Sequence, residues 1–283
     1  MKLPAMKMRV KTQIQTRTQT PSQLQTIRLR SWIALCATAF VIGLLAFAPA
    51  RLFEGVANRA LAPQAQVQIV AGTVWSGRGV LLPTSGSGAN AIPFNWRFDP
   101  LALLRLRAGV ALSADAAALA GTVKVAFGVR TVEIRDARLR LDASLIATVN
   151  GMAALLGPGG MLQLDTQAGE ALISTYRGVP LANGNFKLRA ENISLRSVSP
   201  RAFGNYDLDI VLRETAAEYR ITQSSGPLKL DGGGSLKWNT PRQFSYRGIA
   251  GAPSDAPEVL APLRSIGRPM ADGRLQIDYQ SGW

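Results

Sequence analysis

The sequence predicts a mainly β protein: curved antiparallel sheet with a few short helices, preceded by a single transmembrane helix. Three observations carry this. Short segments alternate apolar with polar residues from about residue 67 to the end, the pattern of a half-solvated antiparallel sheet. Gly, Pro and Asn/Asp punctuate them at short intervals. Ahead of them, Trp32–Ala50 runs nineteen residues without a charge, long enough as a helix, about 28 Å, to approach the hydrocarbon thickness of a bilayer.

The apolar run divides the chain. Residues 1–31 are basic and then rich in Thr and Gln, with too few apolar side chains for a core, and read as a disordered cytoplasmic arm. Residues 32–50 read as the anchor and 51–283 as an exported β domain, with duplicated halves suggested at 64–156 and 161–283. Arg28 and Arg30 precede the run and only Arg51 follows closely, which places the amino terminus in the cytoplasm and the long carboxy-terminal part outside. A cleaved signal peptide is the competing reading, with small-x-small sites at Ala46–Ala48 and Ala48–Ala50; the length of the run favours the uncleaved anchor.

Charge and composition narrow the function. The net charge is +14, but seven of the 32 basic residues and none of the 18 acidic ones lie in the first fifty positions. Half of the excess therefore belongs to topology. Downstream no basic run interleaved with aromatics appears, so nucleic acid is not an expected partner. Cys36 is the single cysteine and there is no histidine. That removes intrachain disulfides, Ser-His-Asp and Cys-His catalysis and His-bearing zinc sites. No catalytic, cofactor-binding or metal residue is assigned, and no enzymatic activity or cofactor is expected.

Element by element, Arg51–Arg59 reads as a helical extension. Val67–Leu82 reads as two strands turning at Ser76-Gly77, and Ile92–Phe98 as a strand with Phe94, Trp96 and Phe98 on one face. Asp99-Pro100 caps a short helix. The segments LRAGVAL, GTVKVAF and TVEIRDARLRLDA follow as strands, the last changing parity at a bulge near Arg135-Asp136. Ser144 is read as the cap of a helix to Leu155, ended by Gly157–Gly160, the best internal boundary. MLQLDTQ, EALISTY, GNFKLRAENISLRS and YDLDIVL are strands, with Ser199-Pro200 opening a helix that Gly204 ends. EYRITQ, GPLKLDGGGSLKW and FSYRGI continue the sheet, before a helix capped near Asp255 and the strand GRLQIDY.

Some residues invite a site. Trp75 and Trp96 resemble interface aromatics but sit in apolar strand contexts, which favours core packing; Trp283 is ambiguous. Gly232–Gly234 reads as a bulge or turn rather than a flexible tip. Asp207, Asp209, Glu214 and Glu218 imitate a metal cluster, yet alternation puts the two aspartates together on a wet face.

The succession GTVWSGRG at 72–79, WRFDPLALLRLRAGVAL at 96–112, GPLKLDGGGSLKW at 226–238 and GRLQIDYQSG at 273–282 is similar to protein N of the bacterial type II secretion system. The resemblance runs from about residue 34 to the end. It implies a non-catalytic inner-membrane protein whose periplasmic domain binds inner-membrane assembly components, and the secretin, to help export folded proteins across the outer membrane. The alternative is a lipid-handling or membrane-bridging β-groove protein. An unfilled apolar groove favours lipid handling, and a filled core with an exposed edge favours a scaffold.

Overall fold

The computed structural model describes residues 21–63, 65–84, 91–149, 155–176, 179–199, 201–239, 241–254 and 256–282. Trp283, Asp255, Pro200 and residues 150–154 of the expected Ser144 helix lie outside them. Two compact units result, Met1–Phe47 and Ala48–Trp283.

The first unit contains α1, Pro21–Ala46, so residues 21–31 of the expected disordered arm are helical. Its charge-free part, Trp32–Ala46, rises about 22 Å. The described side chains from Trp32 to Leu44 are exposed apart from half-buried Gly43, and apolar residues are not sorted to one side. Among the described residues no helix is long and apolar enough to cross a membrane. The expected Trp32–Ala50 segment is not one helix. It leaves α1 at Ala46, Pro49 bridges Thr73, and Ala50–Phe53 forms a 3-10 turn before helix α2, Glu54–Leu61.

The second unit is built on a single fourteen-stranded sheet. Its first six strands are β1 Ala65–Gly72, β2 Ser76–Pro83, β3 Ile92–Asp99, β4 Ala108–Asp115, β5 Leu119–Phe127 and β6 Thr131–Asp142. Helix α3, Ser144–Val149, precedes the long pair β7 Pro158–Tyr176 and β8 Val179–Leu195. There follow β9 Gly204–Glu214, β10 Ala216–Ser225, β11 Lys229–Lys237, β12 Gln243–Gly251, β13 Gly267–Pro269 and β14 Leu275–Gly282. Sequential neighbours pair antiparallel throughout, except that β14 lies between β12 and β13. Such an order is what short Gly- and Asn-bearing connections enforce, since only adjacent strands can be joined by them.

The bulge lies where the parity change put it. Asp136 is left-handed at φ 47° and the β5–β6 and β6–β7 registers shift around it. Asp99 caps the 3-10 helix Pro100–Arg105, its Oδ1 accepting from Leu101 N at 3.0 Å. Other expectations need correction. The first hairpin turns at Thr73–Trp75, ahead of Ser76-Gly77, which are already paired to Arg97 and Trp96. Asp142, not Ser144, caps α3, accepting from Ser144 N at 2.8 Å. Gly157–Gly160 does not interrupt the sheet: Pro158 and Gly159 pair with Leu195 and Ser194. MLQLDTQ and EALISTY form one strand, β7, with an irregularity between Gln167 and Ala171. The Ser199 helix is absent among the described residues; Ser199 Oγ accepts from Arg201 N and Gly204 begins β9. The expected helix near Asp255 is the 3-10 helix Pro257–Leu263.

Paired residues share a face, so the registers trace one row across nine strands: Gly121, Leu139, Leu164, Leu188, Leu208, Ile221, Gly232, Gly248, Ile277. This is the apolar face. The opposite face carries the row Arg138, Asp165, Lys187, Asp209, Arg220, alternating in sign as cross-strand pairs prefer. At the β9–β14 end the Pro257 helix covers the apolar face. Its Val259 and Leu260 are buried with Phe203, Tyr206, Leu228, Ala250, Leu275 and Ile277.

Candidate functional site

Two features of the second unit are built to receive something. One is an edge of the sheet and the other a trough on its apolar face.

A fourteen-stranded sheet has two edges, and they are treated differently. At β1 the outer backbone groups of Val67 and the amide of Ile69 are occupied by α2. Asn58 works like a strand residue, its Nδ2 donating to Val67 O at 3.1 Å while its Oδ1 accepts from Val67 N at 2.5 Å. Glu54 Oε2 accepts from Ile69 N at 3.4 Å. A side-chain amide offers the same donor–acceptor pair as a peptide, so it closes the edge. At the other end β13 covers β14 only at Leu275–Ile277. Among the described residues Asp278–Gly282 pair with β12 alone. That is an open edge.

The open edge has two chemically distinct sides. Asp278 carries the outer face, bound by Arg247 at 3.0 Å. Tyr279 carries the apolar face, at the end of a row through Ile210, Tyr219, Gly234 and Tyr246. Tyr219 stacks on Phe244, and Phe244 meets Tyr279, at 6.0 and 6.2 Å. Gly234 is what lets the tyrosines lie along the sheet. A Cβ there would fall 2.6 Å from the Tyr219 hydroxyl and 1.9 Å from Ser245 O. Burial, then the neighbouring Tyr246, pushes the Tyr219 hydroxyl up to about 12, and it donates to Ser245 O at 2.9 Å. Gly232–Gly234 are thus neither tip nor turn but interior strand paired on both sides, where backbones approach closely.

The trough lies on the same apolar face at the β1–β6 end. It is a cavity of about 310 Å³ touched by Val67, Ile92, Phe94, Leu112, Val123 and Leu139, among others. A flat sheet would hold β1 and β6 about 24 Å apart. Val67 of β1 and Leu139 of β6 nevertheless line this one cavity. Trp96 and Phe94 lie across Gly77 and Gly79.

The opposite face at this end holds a group that the alternation did not single out. Glu133 is 1 % exposed and is held by Arg107 and Arg135. It shares a row with Gly109 and Ala126, and Ala102 of the Pro100 helix sits over Gly109. The signal was the small residues opposite a carboxylate flanked by arginines. Reading it required knowing that a helix covers this wet face.

Of the tryptophans, Trp96 is half-buried and donates from Nε1 to Thr73 O at 3.1 Å. Trp75 is not a core residue: it is 39 % exposed, edge-on to Phe98 at 4.9 Å. The acidic set does not converge. Asp207 pairs with Arg189 at 3.0 Å, Asp209 accepts from Gln167, Glu218 lies 3.9 Å from Arg213, and Glu214 forms a left-handed turn at φ 52°. Among the described residues no group of three metal-ligating side chains forms.

No curated protein and no solved structure matches the chain. A family model described as type II secretion system (T2SS), protein N, matches residues 63–278, about three quarters of the length. The match begins just before β1 and ends within β14, at the first residue of the open edge. The chain belongs to the family of type II secretion system protein N.

Proposed function

We propose that this component of type II secretion is non-catalytic, anchored in the inner membrane by the Trp32–Ala50 stretch, and binds other secretion components on the periplasmic side by strand addition. The observation that carries the binding mode is the open β14 edge, Asp278–Gly282. Main-chain groups there give affinity, and Tyr279 and Asp278 on alternate sides give selectivity. Support for the anchor is the charge-free run with arginines on its amino-terminal side.

The experiment is photo-crosslinking in living cells from Gln280 and Ser281, with Gln68 on the closed edge as control. Capture of a secretion component from β14 and not from β1 is expected. Capture from both edges, or from neither, rejects strand addition. A reporter fused after Trp283 tests orientation: activity confined to the cytoplasm rejects the periplasmic placement.

The trough favours a second reading, lipid handling, because its walls are apolar and its volume is open. A crosslinker at Leu112 that captures labelled phospholipid, with Gln280 silent, moves the assignment to it.

A further inference from the structure

The loops at one end of the sheet carry their own chemistry. The Thr73–Trp75 turn, residues 100–107 and residues 128–131 all leave the sheet on the side where Asp99, Gly109 and Phe127 lie. The chain also enters the second unit here, Ala48 O accepting from Val74 N at 3.1 Å.

Apolar side chains at these tips point into solvent. Leu104 is 83 %, Leu106 92 % and Val129 99 % exposed, with Leu52 of the Ala50 turn at 69 %. Isolated exposed apolar residues are ordinary, but several gathered on adjoining loops mark a contact surface. Leu106 is also left-handed, at φ 54°, a conformation that a leucine adopts only when its surroundings enforce it. Those surroundings are rigid: Arg107 N donates to Ala102 O and the Arg107 side chain is tied to Glu133. The loop is held in a shape that turns a leucine outward.

The charge at the loop tips is predominantly positive. Residues 48–53, 73–75, 100–107 and 128–131 contain Arg51, Arg105, Arg107 and Arg130 and no acidic residue; Arg107 is paired with buried Glu133, and Asp99, which heads the 100–107 segment, accepts from the Leu101 amide. Arg51 and Arg130 are exposed. Leucine fingers ringed by arginines complement a lipid interface, where apolar tips enter the acyl boundary and guanidinium groups meet phosphates. A protein partner with an acidic rim offers the charge, but solvent-directed leucines on separate loop tips suit the acyl boundary better than a partner's walled hot-spot pocket.

We propose that this end of the sheet is a membrane-contacting surface, Leu104, Leu106 and Val129 dipping into the headgroup region of an anionic bilayer. The inference rests on the anchored reading above.

The test uses the full chain with Cys36→Ser, so that single cysteines introduced at Leu104, Leu106, Val129, Ala117 and Val41 can each carry an environment-sensitive dye. Ala117 is exposed at the opposite end of the sheet and Val41 lies in α1. Proteins are reconstituted into phosphatidylethanolamine vesicles with or without phosphatidylglycerol, containing spin-labelled lipid. Quenching at 104, 106 and 129 on the order of twofold, none at 117, and less for an R51E/R130E chain is the expected result. Quenching at Val41 without quenching at 106 and 129, or equal quenching at 117, overturns the proposal and leaves the anchor standing. No quenching at Val41 overturns both. Photo-crosslinking from Leu106 in cells that yields a protein and no lipid also overturns it.

Discussion

Leu139 and Ile277 stand on the same row of the same face, yet Ile277 is 2 % exposed beneath the Pro257 helix while Leu139 lines an open trough. The two ends of one sheet have solved burial on opposite sides. At the β9–β14 end the connection between β12 and β13 folds inward and fills the apolar face with Val259 and Leu260. At the β1–β6 end the covering helix, Pro100–Arg105, lies on the outer face over Gly109, with Ala126 and Glu133 buried in that row. Placing the helix outside leaves the inner face empty. The same sheet is thus covered on its apolar face at one end and on its outer face at the other.

The comparison can be broken most severely at Glu133. Replacing it by Gln removes the charge that Arg107 and Arg135 share, and the loss of a partner from a buried ionic group costs about 3 to 5 kcal/mol. Urea denaturation of E133Q should show this; a loss under about 1 kcal/mol would mean that the outer face is not where the β1–β6 end keeps its stability.

Leucine truncations sharpen it next. Leu260→Ala should cost about 3 kcal/mol, as for a filled core. Leu112→Ala in the trough should cost less than about 1 kcal/mol, because its side chain is only half-buried. Equal losses would show the trough to be packed. Enlargement gives the converse. Ala250 is fully buried, and Ala250→Leu should destabilise by about 2 kcal/mol. Ala114 lines the trough, and Ala114→Leu should be tolerated, with melting curves as the measurement.

The smallest effect is with pH. Burial raises the Tyr219 hydroxyl to about 12 from its ordinary value of 10.0, so the folded state holds this proton more tightly than the unfolded one. Its contribution is fully present below about pH 10 and is lost as pH climbs to about 12. Alkaline unfolding followed by tyrosinate absorbance should therefore flatten over that window in Tyr219→Phe.

Most of the sheet was legible because alternation reports directly on which side of a strand is wet. The Asp136 bulge was visible for the same reason: two runs of opposite parity cannot share a face without an extra residue. The Asp99-Pro100 cap was legible from local chemistry. What failed were elements decided by distant partners. Gly157–Gly160 looked like a break, but β8 supplies hydrogen bonds that make it a strand. Trp75 looked like core by composition, while its position on a turn leaves it 39 % exposed and edge-on to Phe98. For the candidate site, sequence gave the existence of an edge and of an apolar face. Which strand was the edge, and which half of the face was left open, depended on where two short helices of similar length came to rest.

The amide of Asn58 has a consequence for assembly. A ribbon that is plugged at one margin and receptive at the other can accept a single additional strand and then offers no continuation, so head-to-tail growth into fibres is blocked. Two copies meeting through their receptive margins would form a closed symmetric pair and nothing larger. Substituting Asn58 with Leu together with Glu54 with Ala would unplug the second margin, and the resulting chain should convert from discrete particles to extended polymers visible by light scattering.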